Sequence, residues 1–234
     1  VNKKIPVAIL GAAGTVGQRF IQLLDGHPWF EAAVLAGSSR TQGKRYGDVC
    51  QWKLSGSIPA VVRGMVVQPI TADIPVKLAF SALPSSVARE VEPQLAQAGI
   101  VVCSNASAFR EAPDIPLIIP EINADHLELI HTQQEKHSWK GFIVTSPNCT
   151  TTGIAMTLKP LADAFGIEKV FAVSMQAISG AGYPGVASLD IHDNIIPHIP
   201  GEEEKIEAET RLLLGTVVEG KKVHHPLQMS AQAN

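Results

Sequence analysis

Cys149 is the residue of this sequence best placed for covalent chemistry. It follows Ser146-Pro147-Asn148 and precedes Thr150-Thr151-Thr152-Gly153 and a helix-like run, so the thiol stands where a helix is expected to begin. The positive end of a helix dipole favours the thiolate, the nucleophilic form of the side chain. Backbone N–H groups of that turn and the Asn148 side chain are placed to steady an oxyanion at an attacked carbonyl. Simple packing at a helix start is the alternative. The other two of the three cysteines have weaker contexts. Cys50 lies in a polar loop and Cys103 ends an apolar strand, which reads as structural for both. An odd, widely spaced set of cysteines suits a reducing compartment better than a disulfide framework, and the spacing fits no zinc site, so no metal is expected.

A second signal lies near the start of the chain. Gly11-Ala12-Ala13-Gly14-Thr15-Val16-Gly17 falls between a strand-like and a helix-like segment. In that setting the glycines let backbone approach a pyrophosphate at a helix N-terminus. The spacing is GxxGxxG, a variant of the usual dinucleotide fingerprint. Where enzymes of NAD place an acid for the ribose hydroxyl, this chain has Ser38-Ser39-Arg40-Thr41 with Lys44 close behind. Hydroxyls and a guanidinium accept a 2′-phosphate that a carboxylate would repel, so NADP is the expected cofactor. Ser81 to Leu83, at the end of a later strand, lie where such sheets hold the rest of the nucleotide.

These residues need a scaffold, and the first part of the chain supplies one. Ile5–Leu10 is an apolar run of the kind buried on both faces of a parallel sheet, and Phe30–Gly37, Val76–Phe80 and Ile100–Cys103 read as further strands. Helices are expected over Gln18–Leu24 and Val87–Gly99, the latter stopped by its glycine. A short strand over Leu117–Ile119, a helix over His126–Trp139 and a last strand over Phe142–Val144 complete this layer. Repeated βα units imply an α/β, Rossmann-type doubly wound parallel sheet. The texture then changes. Thr150–Phe165 reads as a helix and Lys169–Ala177 as a long strand. A stretch rich in glycine and proline, Ser179–Gly201, leads to a charged helix over Glu202–Leu214. A boundary within several residues of Cys149 is expected, dividing a nucleotide-binding domain, 1–148, from an α+β catalytic and dimerisation domain, 149–234.

Composition is that of an ordinary soluble globular protein, an enzyme or a binding domain. The 234 residues are 45% hydrophobic and 18% charged, with a net charge of -3. A mildly acidic balance without basic clusters gives no footprint for nucleic acid or an anionic membrane. The longest apolar runs are strand-length, far below the ~20 residues of a membrane span. Val1 to Lys4 runs directly into the first strand, so no secretory signal is expected, and the location is expected to be cytoplasmic.

Five motifs in order resemble one family: Gly11 to Gly17, Ser104-Asn105-Ala-Ser107-Ala-Phe-Arg110, Ser146-Pro-Asn-Cys149-Thr-Thr-Thr, Gln176-Ala-Ile-Ser179-Gly-Ala-Gly182-Tyr-Pro-Gly185 and Gly201-Glu-Glu-Glu-Lys205. The series resembles the aspartate-semialdehyde dehydrogenases of the archaeal and fungal branch, from the first strand to about Arg211. The resemblance implies NADPH-dependent reduction of L-aspartyl 4-phosphate through an acyl thioester on Cys149, an early step towards lysine, threonine, methionine and isoleucine. It implies that Gln176 orients the intermediate, and that Arg110, with Asn105 alongside, binds the substrate carboxylate or phosphate. Glu202 would meet the ammonium, Lys205 the phosphate, and Ser179 and Gly180 the nicotinamide end. A homodimer or homotetramer is implied as well. The roles suit a substrate bearing a carboxylate, a phosphate and an ammonium: Arg110 offers a planar fork, and Glu202 and Lys205, three apart, share one helix face. Glu202 and Glu203 remain alternatives for the amine contact.

The family's acid–base histidine sits in an Arg-Val-Pro-Val…Gly-His stretch that this sequence lacks. None of its eight histidines, among them His192, His198, His224 and His225, has those neighbours, so the role is transferred to none. The expected reading is an incomplete chain, with that group and further sheet strands beyond Asn234. Two rivals remain: a malonyl-CoA reductase of the same family, whose substrate has no amino group, and a non-catalytic NADP-binding relative.

Overall fold

In a computed structural model, which describes residues 3–234, the chain forms two compact units. Val1 and Asn2, part of the expectation about the start of the chain, lie outside the described residues. The first unit comprises residues up to Phe109 together with Ile130–Thr145, and the second Arg110–Leu129 with Ser146–Asn234. The longer part of the second unit begins at Ser146. The segment Arg110–Leu129, however, joins the second unit, because its apolar residues Leu117, Ile119 and Ile122 pack with Ala155, Leu212 and Leu227.

Five parallel strands make the first unit: β1 (Ile5–Leu10), β2 (Phe30–Ala36), β3 (Leu78–Ser81), β4 (Val101–Ser104) and β5 (Phe142–Thr145), in the order β2-β1-β3-β4-β5. Val7 to Leu10 at the centre are fully buried, as a run apolar on successive residues demands when both faces are covered. The helix Thr15–Leu24 crosses between β1 and β2 and turns Gln18 and Ile21 inward. The helix Ser85–Gln97 joins β3 to β4, burying Ala88, Leu95 and Ala96, and Gly99 beyond it takes φ +90°. Every strand expected in this layer is present, except over Leu117–Ile119. There the Asn123 side chain does what a ladder would do: Oδ1 accepts from Ile119 N at 3.0 Å and Nδ2 donates to Leu117 O at 2.8 Å. The helix expected over His126–Trp139 begins later, at Leu129, after a tight turn over Ala124–Glu128. That turn buries His126, whose ring lies 3.1 Å from Asn123 Nδ2 and 3.3 Å from Gly215 O.

The second unit is built on two helices, Cys149–Phe165 and Glu202–Leu213, and a parallel pair of strands, β6 (Lys169–Ser174) and β9 (Gln228–Ala233). Between them β7 (Thr216–Val218) and β8 (Lys221–Val223) form a hairpin whose two-residue turn, Glu219-Gly220, has φ of 49° and 68°. Two successive positive φ values match the right-handed twist of a tight hairpin. The strand expected as far as Ala177 ends its ladder at Ser174, but the edge continues, with Gln176 N donating to Asn234 O at 2.7 Å.

Candidate active site

Each unit holds some of the residues singled out in the sequence. In the first, the chain leaves β1 through Gly11, at φ +76°, where a Cβ would stand 2.6 Å from Ala82 O. A Cβ on Gly17 would stand 2.3 Å from Gly11 O, so the glycines let the helix start fold back on the strand end. At Gly14 the only neighbour among the described residues that a Cβ would meet within 4 Å is Gly11 O at 3.4 Å. The helix Thr15–Leu24 has no side-chain cap and no acid in its first turn, which leaves its leading N–H groups for an anion. The carbonyls of the loop are held from the inside. Buried Tyr46 donates its hydroxyl to Ala12 O at 2.9 Å, and Gln18 Nε2 donates to Ala13 O at 2.9 Å. Gln18 Oε1 accepts from Lys53 N at 2.7 Å and so pins the neighbouring loop. Neither brace stood out in the sequence, although a glutamine and a tyrosine on faces that turn inward were a usable sign.

Ser38, Ser39 and Arg40 lie exposed beyond β2. Ser81 is different. It is fully buried at the end of β3, beside Glu92, and Leu83 is nearly so. Glu92 accepts from Ser104 Oγ at 2.6 Å, and Ser104 Oγ accepts in turn from Ala106 N at 3.2 Å. Burial pushes the Glu92 carboxyl above the usual range, and the two serine hydroxyls pull it part of the way back. The strand ends are thus tied together from beneath, and Asn105 N bonds Ser81 O at 2.9 Å.

In the second unit Cys149 is exposed and is the first residue of its helix. Asn148 caps that helix, its Oδ1 accepting from Thr150 N at 2.8 Å and Thr151 N at 3.2 Å. The expectation for Asn148 was a donor to an oxyanion. In the structure its amide Nδ2 already donates to Glu202 Oε1 at 2.7 Å, because the cap turns the amide towards the start of the charged helix. A cavity of about 580 Å³ opens here, lined by Cys149, Gln176, Gly180 and Glu202 among mainly apolar neighbours. Gln176 Nε2 lies 3.4 Å from Glu202 Oε1, and Lys205 Nζ lies 3.8 Å from Glu202 Oε2. Ser179 sits in the exposed turn Ile178–Ala181 that supplies Gly180.

The two candidate acids separate clearly. Glu202 is 8% exposed and faces the cavity, whereas Glu203 accepts from Ala233 N at 3.1 Å and Gln232 Nε2 at 3.2 Å. His198 also lines the cavity, 3.7 Å from Glu203. Arg110 is 8% exposed, and its Nη1 donates to Glu209 Oε1 at 3.0 Å. Glu209, absent from the sequence-based set, also accepts from Asn148 N at 2.6 Å. Its signal was its place on the helix, seven residues after Glu202 and on the same buried stripe as Ile206. The remaining thiols are poor nucleophiles: burial pushes Cys103 up to about 11 and raises Cys50, which the Tyr46 hydroxyl partly offsets. Among the described residues no cluster of metal-ligating side chains occurs, and no helix is long and apolar enough to cross a membrane.

Comparison with known proteins covers both units. Residues 6–130 match the family described as semialdehyde dehydrogenase, NAD binding domain, and residues 158–234 match semialdehyde dehydrogenase, dimerisation domain. The chain is 52% identical over 218 residues to the aspartate-semialdehyde dehydrogenase of Archaeoglobus fulgidus, a match covering 93% of this chain and 63% of that protein. It is 54% identical over 218 residues to that of Methanothermobacter thermautotrophicus, covering 92% and 62%. The chain therefore spans less than two thirds of the length of these two curated relatives. Among solved structures, the aspartate semialdehyde dehydrogenase with NADP from Candida albicans superposes with a TM-score of 0.89 at 38% identity, covering 99% of this chain and 67% of that one. The aspartate semialdehyde dehydrogenase II complexed with ASA from Vibrio cholerae gives 0.74 at 25% identity, covering 99% and 70%.

Proposed function

The chain belongs to the semialdehyde dehydrogenase family, and on that premise we propose that it reduces L-aspartyl 4-phosphate with NADPH to L-aspartate 4-semialdehyde and phosphate through a thioester on Cys149. The observation that carries the reading is the cavity in which an exposed, helix-starting thiol shares the walls with Gln176 and Glu202. The Cys149 thiolate attacks the acyl carbon, a C–S bond forms, and the carbon–oxygen bond to phosphate breaks, leaving inorganic phosphate and the thioester. Arg110 and Lys205 supply cations for the carboxylate and phosphate, and Glu202 is our choice over Glu203 for the ammonium. Gln176, held by its strand-edge bond to Asn234, orients the acyl group.

The cofactor fits the first unit. A glycine loop open at Gly14, a helix start without cap or acids, and exposed Ser38, Ser39 and Arg40 suit a pyrophosphate and a 2′-phosphate. Gly11, Ala13, Gly14, Thr15, Val16 and Gly17 would hold the former, while Ser179 and Gly180 would hold the nicotinamide end. When bound, the nicotinamide supplies the hydride that turns the thioester into the aldehyde. We infer a homodimer or homotetramer as well. β6 alternates, and Phe171 and Val173 project outward, Phe171 being 84% exposed, which leaves an apolar face for a second copy. A reducing, cytoplasmic setting suits three free cysteines.

The test is phosphate-dependent reduction of NADP by aspartate semialdehyde, comparing this chain, its Cys149→Ala variant and a chain extended past Asn234. Activity in the extended form that disappears with Cys149→Ala supports the proposal. Reduction of malonyl-CoA in place of aspartyl phosphate would replace it with the related thioester chemistry, and NADP binding without either turnover would leave a binding protein.

A further inference from the structure

Glu209 is 2% exposed, and both of its carboxylate oxygens are engaged. Oε1 accepts from the Arg110 guanidinium at 3.0 Å, and Oε2 accepts from the Asn148 backbone N–H at 2.6 Å. These partners stand 99 and 61 residues away in sequence, so the fold gathers them on purpose-built elements rather than by local geometry. One is the cation assigned to the substrate's anionic group. The other directly precedes the nucleophile and caps its helix. Taking a carboxylate out of water is costly, and a well-packed apolar residue would hold two helices together at less cost. Neutralising Arg110 alone would use one oxygen. Lys222, also buried, donates to Arg110 O, so the guanidinium is anchored at both its backbone and its side chain.

We propose that Glu209 is a positioning residue that sets the Arg110 fork and the Asn148–Cys149 turn with one carboxylate, so that docking of the substrate anion and attack by the thiolate share a single support. It touches no reacting atom. Its effect is to hold the anion site and the sulfur in mutual register, and misplacement on the ångström scale costs about a hundredfold in rate. This inference rests on the reading of Cys149 as the acylated nucleophile.

The experiment is single-turnover acylation of the chain extended past Asn234 by L-aspartyl 4-phosphate. Phosphate release is followed over a range of substrate concentrations, and the Cys149 adduct is verified by mass. Arg110→Gln should raise the half-saturating concentration at least tenfold and leave the limiting rate within threefold. Glu209→Gln should do both, raising that concentration and lowering the limiting rate at least tenfold, because an amide cannot accept from both donors. A protein merely destabilised by the change would lose amplitude while its folded fraction kept the native limiting rate. Breaking one side of a buried pair can unfold the chain, so the Arg110→Gln/Glu209→Gln double variant is measured too, since removing both charges spares the desolvated orphan. The double variant should keep the depressed limiting rate of Glu209→Gln. A native limiting rate in either variant carrying Glu209→Gln overturns the proposal. Absence of any Cys149 adduct in the native chain overturns the thioester reading itself, and with it this inference.

Discussion

Tyr46→Phe removes one oxygen atom and with it the brace under the nucleotide loop, together with the hydroxyl's contact to Cys50. Tyr46 and Ala12 are both fully buried, and the Tyr46 hydroxyl donates to Ala12 O at 2.9 Å. The phenylalanine ring fits the same space, so no cavity term arises. What is lost is a net hydrogen bond, and a buried carbonyl remains without its donor, together roughly 1–3 kcal/mol. At about 4 °C per kcal/mol for a unit of this size, the melting temperature should fall by roughly 4–12 °C. Tryptophan fluorescence reports the right unit, because Trp29, Trp52 and Trp139 all belong to the first one. A loop that samples other conformers also binds less tightly, in proportion to the competent fraction, so NADP affinity should weaken by about threefold to tenfold. The two readouts together test the reasoning. A variant that melts within 1 °C of the native chain, measured by the scale above, and binds NADP equally well would show that the Ala12 carbonyl needs no donor and that the brace is incidental.

Two further perturbations follow from the same geometry. Gly17→Ala places a Cβ 2.3 Å from Gly11 O and 2.8 Å from Ala12 Cα, both backbone atoms that no rotamer change can move, so the chain should lose at least roughly 1–3 kcal/mol in urea unfolding. Gly14→Ala meets only Gly11 O at 3.4 Å and should melt like the native chain while binding NADP more weakly in a fluorescence titration. Lys222 is buried, and desolvation pushes it down to about 8 from an ordinary 10.5, with Asp114, Glu111 and Glu209 opposing that fall. Between these values the unfolded chain holds more protons, so this group makes stability rise with pH, by about 3 kcal/mol across the window. Subtracting the urea-unfolding profile of Lys222→Met from that of the native chain should expose that rise between pH 8 and 10, and a flat difference would refute it. The subtraction matters, since half-buried Cys103 and buried Tyr46, both raised by desolvation, push stability the other way at high pH.

The first unit was legible because its signals are local. A strand buried on both faces is an uninterrupted apolar run, and Ile5–Leu10 could be little else. The glycine loop fell between its strand and helix as its spacing required. The hairpin of β7 and β8 was legible in principle and went unread: Thr216-Val-Val and Lys221-Lys-Val flank Glu219-Gly220, a weaker turn pair than Asn-Gly, and the lysines masked the alternation. Leu117–Ile119 misled for a physical reason. An extended apolar run looks like a strand whether its backbone bonds go to a neighbouring strand or, as here, to the Asn123 side chain.

The site divides along the same line, and its least legible members are its carboxylates. Glu92, Glu202 and Glu209 each sit on a helix among charged neighbours, where composition reads as a solvated face, yet all three are buried. What distinguishes them is position on the helix turn. Glu202, Ile206, Glu209 and Leu213 fall at intervals of four, three and four, which is the spacing of a core stripe, while Glu203, Glu204 and Glu207 fall off it. An acid on an apolar stripe is expensive unless a partner waits for it, and the partner is chosen by the fold. For Glu92 it is a serine at the end of a strand, and for Glu209 it is the cation and the turn before Cys149. Sequence periodicity can therefore mark such a residue as unusual but cannot say what it supports. That step needs the distances, and here they lead from each buried acid to one of the two places where the chemistry is proposed to occur.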